Sequence, residues 1–282
     1  MHTACSRTHW RKASSTARGL AAGRPAYLFG EYSRFGWWYY FPVAIVLKTP
    51  VTLLSLFAVG IVALRRRREL FDLDHGAFVV VPILVFLLAA MAASLNIGVR
   101  HVLPVFPFMI VIAAAGAETI LASYPTRIVP IVAAVALSAA LEFAWAYPST
   151  LAFFNVLAGG PHNGYRALAD SNVDWGQALK PLAAWMQANG VKRINLAYFG
   201  TADPSYYGMS VRYTWGTIMP EVSPAAQTAP DLPGYVAVSA TLLDGVPFEA
   251  DKRDFYKPLR DSQPAADIGG SIKVYWVERP WW

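Results

Sequence analysis

The sequence predicts an integral membrane α-helical part, with about four transmembrane helices, followed by an extracytoplasmic α/β domain. Three observations carry this expectation. Hydrophobic residues make up 55% of the 282-residue chain and charged residues only 15%, well below the roughly 25% charged typical of soluble domains. Four apolar segments of near-spanning length lie before Tyr147. After it, Gly, Pro and polar residues separate short periodic segments, the pattern of a mixed α/β domain.

Residues 1–25 read as a disordered basic extension: Arg7, Arg11, Lys12, Arg18 and Arg24 stand among Ser, Thr and Ala with no acid. The composition superficially matches an organelle transit peptide, and the apolar core of a secretory signal is missing from it. The membrane part covers 26–148, with spans near 49–64, 77–95, 102–121 and 128–145, each set against the roughly 20 residues that cross a bilayer core as a helix. The 77–95 span has no charge; Glu118 and Glu142 fall near the ends of the next two, where interfacial or helix-facing acids are tolerated. The first span is interrupted by Pro42, Lys48 and Pro50, so its membrane part begins near Thr49. Trp37, Trp38, Tyr39 and Tyr40 form an aromatic group suited to the headgroup level.

Arg65 to Arg68 abut the first span and are placed in the cytoplasm by the positive-inside rule. That puts the 96–101 loop and everything after Tyr147 outside. In the 149–282 domain a helix is expected over 174–189, capped by Ser171 or Asn172, with Leu179, Leu182, Trp185 and Met186 at helical spacing and Gly190 as its stop. Strands are expected at 194–199, 235–239 and 271–277, and a loop between Pro220 and Pro233.

Charge narrows the function classes. Up to Tyr147 there are 13 basic and 6 acidic residues, giving +7; beyond it 11 and 12 give −1. A nearly neutral second half argues against a nucleic-acid partner, which needs clustered cations to neutralise phosphates. The single Cys5 excludes an intrachain disulfide framework and a Cys-based zinc cluster; no cofactor or metal site is expected. Asp170-x-Asn172-x-Asp174 has the opening spacing of a calcium loop, but Trp175 and Pro181 occupy the positions that need Gly and Glu, so a helix cap is the preferred reading. At the junction of two spans, Arg100 and His101 either grip a lipid phosphate through charge-assisted hydrogen bonds or anchor the helix end by snorkelling, and Lys48 poses the same choice. Glu31, the sole acid in the first 68 residues, reads as a structural carboxylate. Asn163, Tyr165, Arg166, Asp170 and Asp203 form a candidate acceptor or sugar cleft, with Tyr198, Tyr206 and Tyr207 as stacking surfaces, although turn and cap duties explain most of them equally well.

Several stretches form a distinctive series: Gly30-Glu31-Tyr32-Ser33, Gly36-Trp37-Trp38-Tyr39-Tyr40-Phe41-Pro42-Val43, Leu47-Lys48-Thr49-Pro50, Asn96-Ile97-Gly98-Val99-Arg100-His101-Val102-Leu103-Pro104, Asp170-Ser171-Asn172-Val173-Asp174-Trp175-Gly176-Gln177 and Tyr198-Phe199-Gly200-Thr201-Ala202-Asp203-Pro204. As a set, over residues 26–278, they resemble the C-terminal part of a bacterial GT-C membrane glycosyltransferase related to the dolichyl-phosphate-mannose protein mannosyltransferases. The resemblance implies a partial GT-C fold in the plasma (bacterial inner) membrane, taking a sugar from a polyprenyl-phosphate carrier to an extracytoplasmic acceptor. It implies that Lys48, Arg100 and His101 face the carrier phosphate among membrane lipids. The family's acidic catalytic residue lies in a first extracytoplasmic loop that no segment here matches, so no catalytic residue is assigned. The chain is then expected to be inactive alone, with a companion chain supplying the missing N-terminal helices. The alternative is a membrane-tethered glycan- or protein-binding or assembly subunit without catalysis.

Overall fold

A computed structural model describes residues 25–66, 73–220 and 222–282. Residues 1–24 of the 1–25 basic extension, and Arg67 and Arg68, lie outside the described residues. The chain opens with a hairpin of β1 (Ala26–Leu28) and β2 (Glu31–Ser33), then α1 (Tyr40–Lys48) and α2 (Val51–Arg66). α1 and the Val51–Arg65 part of α2 meet at 118°. The break has a local cause: Pro50 disfavours helical geometry at the residue before it, and Thr49 is extended at φ −103°, ψ 136°. Next come α3 (Leu73–Ala92), α4 (Val105–Ser123) and α5 (Ile128–Ala146).

Among the described residues two helices are long and apolar enough to cross a membrane, Val105–Ser123 and Pro125–Ala146, the latter including the turn before α5. The bent pair α1–α2 passes the same test only as a unit, and the apolar Gly76–Ala92 part of α3 falls short. By length and composition the described residues thus hold two candidate spans, or three with the bent pair. At about 1.5 Å rise per residue, the 16 residues of α2 reach about 24 Å, less than a ~30 Å hydrocarbon core. α2 and α4 approach backbone to backbone: a Cβ on Gly60 would lie 2.0 Å from the Ile112 carbonyl, and one on Gly116 2.2 Å from that of Leu56. Small residues at such crossings let helices close without a side-chain layer between them.

The later residues form a five-stranded mixed sheet in the order β4 (Val211–Tyr213), β3 (Ile194–Ala197), β5 (Gly234–Ser239), β7 (Ile272–Val277), β6 (Ala266–Ile268). β3 runs parallel to β4 and β5, whereas β7 is antiparallel to β5 and β6. Successive residues of a strand face opposite sides. Leu196, Ala237 and Val274 pack beneath Leu182 and Met186 of α6 (Leu179–Ala188), while Ala197, Val236 and Tyr275 pack with Leu242 of α7 (Ala240–Leu243) and Leu259 of α8 (Lys257–Arg260). The helix expected from 174 begins at Leu179, because Gly176 takes a left-handed φ of +84° and donates its N–H to the Asp174 carboxylate, 2.9 Å away. Residues 170–172 form a separate 3₁₀ turn, and α6 has no side-chain cap. The Ser171/Asn172 cap assignment is therefore corrected.

The helices and the sheet domain share one core. Tyr40, Phe41, Val105, Phe154, Leu168 and Val173 are buried together. The β1–β2 hairpin, assigned by sequence to the membrane part, joins the later domain: Phe29 donates its N–H to Ala167 O (2.9 Å) and Tyr27 its hydroxyl to Arg166 O (3.1 Å). Tyr40, expected among headgroup aromatics, is buried as well.

Candidate functional site

The seam between helices and sheet domain is organised by one residue, Asn172. It is completely buried, at 0% exposure, in the 170–172 turn. Its Oδ1 accepts the Val99 N–H (3.0 Å), and its Nδ2 donates to the Tyr40 hydroxyl (2.8 Å) and to Ala169 O (3.2 Å). Its backbone carbonyl accepts the Lys48 ammonium (2.5 Å). An asparagine offers both amide donors and acceptors; at this position they fasten α1, the 96–101 loop and the sheet domain. Asn155 repeats the device at the helix break, donating to Val46 O (2.6 Å) and Thr49 O (2.8 Å).

Of the three expected cations, Lys48 donates into this seam, and Arg100 follows Val99, whose N–H is bound there. The Lys48 ammonium also donates to Leu151 O (2.9 Å) and lies 4.4 Å from the Phe154 ring centre. Two of its N–H groups are thereby used, and loss of hydration pulls its pKa down to about 7. Lys48, Pro50, Val99, Phe143 and Leu151 line a groove of about 390 Å³, with Glu142 at its α5 wall. The Glu142 Oε1 accepts the first N–H of α2, from Val51, at 2.7 Å. Arg100, next to Val99, is exposed and stacks over Trp175 at 4.6 Å. Stacking uses the face of a guanidinium and leaves its in-plane donors, the ones that recognise phosphate. His101, exposed, sits edge-on to Phe41 at 6.3 Å. Partial burial and, secondarily, the Arg100 charge hold its pKa below the ordinary histidine value, so it is neutral at pH 7 and acts as a hydrogen-bonding group rather than a third cation.

No family model, curated protein or solved structure matches the chain. The site therefore rests on its own chemistry. Among the described residues no group of His, Cys, Asp and Glu is arranged to hold a metal ion.

The residues expected to form an acceptor or sugar cleft each have partners within the fold. Asn163 donates to Gly159 O (3.3 Å), and buried Tyr165 accepts the Arg166 Nε (3.2 Å) and lies under Lys273. Asp170, at a left-handed φ of 56°, is buried and accepts the Ser171 hydroxyl (3.0 Å). Asp203 accepts both the Ser205 N–H (2.8 Å) and its hydroxyl (2.6 Å), capping the 204–207 turn; these bonds hold its pKa below the usual carboxylate value. Of the three stacking tyrosines, Tyr198 is buried and Tyr207 packs onto α6, leaving Tyr206 exposed. Turn and cap duties account for these residues, with Arg166 the exception. Asn172 and Trp175 were missed as functional groups because a polar run ahead of a helical pattern reads first as a cap.

Asp174 is fully buried beside this turn. Loss of hydration pushes its carboxyl up to about 7, against hydrogen bonds from Gly176, Ser239 and Trp175 that lower it.

Proposed function

We propose that this chain is the carrier-binding part of a membrane glycosyltransferase of GT-C type, acting on a polyprenyl-phosphate-linked sugar at the outer face of the plasma (bacterial inner) membrane. In this reading α2–α5 are embedded in lipid as the spans expected near 49–64, 77–95, 102–121 and 128–145, and the sheet domain is extracytoplasmic. One observation supports it most: Asn172 ties the Lys48 ammonium and the segment bearing Arg100 and His101 to a single seam, beside an apolar groove walled by α5. A polyprenyl phosphate has the matching chemistry, an apolar chain ending in an anion.

Transfer would proceed by attack of an acceptor hydroxyl oxygen on the anomeric carbon. The bond from that carbon to the phosphate oxygen breaks and its electron pair leaves with the phosphate. Arg100 and Lys48 stabilise the charge that develops there, as preorganised cations do. The hydroxyl proton goes to a carboxylate that the resemblance assigns to a companion chain, so this chain binds the donor without transferring the sugar.

The test is to express the chain in membranes supplied with radiolabelled polyprenyl-phosphate hexose. Label retained by the wild type and lost by Arg100→Ala supports the reading. Retention unchanged by Arg100→Ala refutes the site, and sugar transfer by the chain alone refutes dependence on a companion. A membrane-tethered binding subunit remains the alternative reading, supported by the second cavity described next.

A further inference from the structure

A cavity of about 630 Å³ lies away from the seam, between the β1–β2 hairpin and the α7–α8 region. Its size falls within the ~300–1,000 Å³ range of small-molecule sites. Tyr27, Tyr32, Arg166, Asp244 and Arg260 form its walls and Phe29 its rim. Asp244 is 0% exposed, and neither carboxyl oxygen has a hydrogen-bond partner among the described residues. Arg260, Arg166 and Lys273 are near enough to act on it electrostatically, yet burial dominates and raises its pKa well above the ordinary carboxylate value. A buried group left without a partner is unfavourable, so the site is built for a polar group that the fold itself does not provide.

The rim supplies an independent observation. Phe29 has a left-handed φ of 49° and is 60% exposed. A bulky residue in that region is strained, and a large apolar ring turned outward in a tight hairpin is at odds with simple packing. Its N–H is fixed on Ala167 O (2.9 Å), which holds the turn against the domain.

The ligand class follows from the balance of the walls. Arg260 already donates to Asp254 Oδ1 (3.1 Å) and Leu243 O (3.4 Å), Arg166 donates to the Tyr165 hydroxyl (3.2 Å), and Asp261 is paired with Lys257. The lining holds three acids, Asp244, Asp254 and Asp261, beside the two guanidiniums, so a phosphate or carboxylate would meet more acids than cations. Donors, acceptors and aromatic rings line the cavity together, which suits a neutral ligand with many hydroxyls and an apolar face. We propose that this cavity is a saccharide-binding site in which Asp244 and Arg166 take ring hydroxyls and Phe29 stacks on the sugar's C–H face. The site does not depend on the carrier reading.

The test uses the full chain in nanodiscs, free of glycoside detergents, against an array of neutral hexose di- and trisaccharides with a uronic acid and inorganic phosphate as controls. Binding of a neutral saccharide is expected. Phe29→Gly relieves the backbone strain, so it should keep or raise the melting temperature while weakening binding about tenfold, equivalent to ~1.4 kcal/mol. Asp244→Ala should weaken it at least as much, and Arg100→Ala should leave it unchanged. The proposal is overturned if no neutral saccharide binds, if only the uronic acid or phosphate binds, or if Phe29→Gly and Asp244→Ala both bind as the wild type does. Loss of binding in Arg100→Ala would also overturn it by tying the saccharide to the seam. Failure here leaves carrier retention untouched, and the reverse holds too.

Discussion

Replacing Asn172 with alanine should separate the helices from the sheet domain energetically, and the size of the effect can be worked out bond by bond. The side chain is completely buried and makes three hydrogen bonds, with Val99 N, the Tyr40 hydroxyl and Ala169 O. Truncation leaves the Val99 N–H and the Tyr40 hydroxyl without that partner inside the core, at about 1–3 kcal/mol each. Ala169 O loses only one of the bonds it can accept and adds little. The expected destabilisation is about 4 kcal/mol, or a fall in melting temperature of about 10 °C at the ~2–4 °C per kcal/mol typical of chains of this size. The bond from Lys48 goes to the Asn172 backbone carbonyl and survives the substitution. Intrinsic tryptophan fluorescence of the chain in nanodiscs provides the melting curve, since Trp175 is three residues away and stacked by Arg100. Asn172→Asp, which keeps the acceptor for Val99 and loses the amide donors, should fall between alanine and wild type at a pH where the acid is protonated. A fall of less than about 2 °C for Asn172→Ala would refute the view that this residue fastens the seam.

Three further outcomes are expected. Gly116→Val places side-chain atoms where even a Cβ lies 2.2 Å from Leu56 O and 2.6 Å from Gly60 N; a loss of about 3 kcal/mol or more should appear as reduced monodisperse yield on size-exclusion chromatography, and unchanged yield would contradict the close α2–α4 contact. Burial pushes the Asp174 carboxyl from 3.8 to about 7, so between those values the folded chain holds a proton that the unfolded chain has released. This contribution is complete below about pH 4 and is lost as pH rises through about 7, by roughly 4 kcal/mol; melting temperatures at pH 5 and 8 should differ less in Asp174→Asn than in wild type, and an equal difference would refute it. Trp175→Ala removes the exposed cation–π contact of Arg100, expected to weaken carrier binding about threefold at ~0.6 kcal/mol with the melting temperature within about 2 °C; an unchanged dissociation constant would show that the stack does not position Arg100.

The sequence reveals the elements whose residues carry their own reason to form. α4 and α5 are near-continuous apolar runs, and the break at Thr49 follows from Pro50 alone. β3, β5 and β7 are visible because they are the central strands, rich in apolar residues and buried over most of their length. β4 and β6 are three-residue edge strands whose pairing is decided by neighbours far along the chain, and β1–β2 likewise forms against the 166–167 segment. The same distinction holds for the sites. Lys48 and Arg100 stand out as charges beside apolar spans. Asn172 makes its partners across 73 and 132 positions of sequence, so its local context reads as a cap. Asp244, in a turn after α7, has nothing in its neighbourhood to mark it as buried and unpaired, because both properties arise from packing.

The central claim, an anionic lipid held at the Asn172 seam, is tested most directly by comparing two ligands that differ only in the anion. Binding of a polyprenyl phosphate and of the uncharged polyprenol of the same length is measured on the chain in nanodiscs, for wild type and Arg100→Ala. The phosphate should bind the wild type at least about tenfold more tightly than the alcohol, a difference of ~1.4 kcal/mol, and Arg100→Ala should remove most of that preference. Equal binding of the two lipids by the wild type, or a preference that Arg100→Ala leaves intact, would contradict the account.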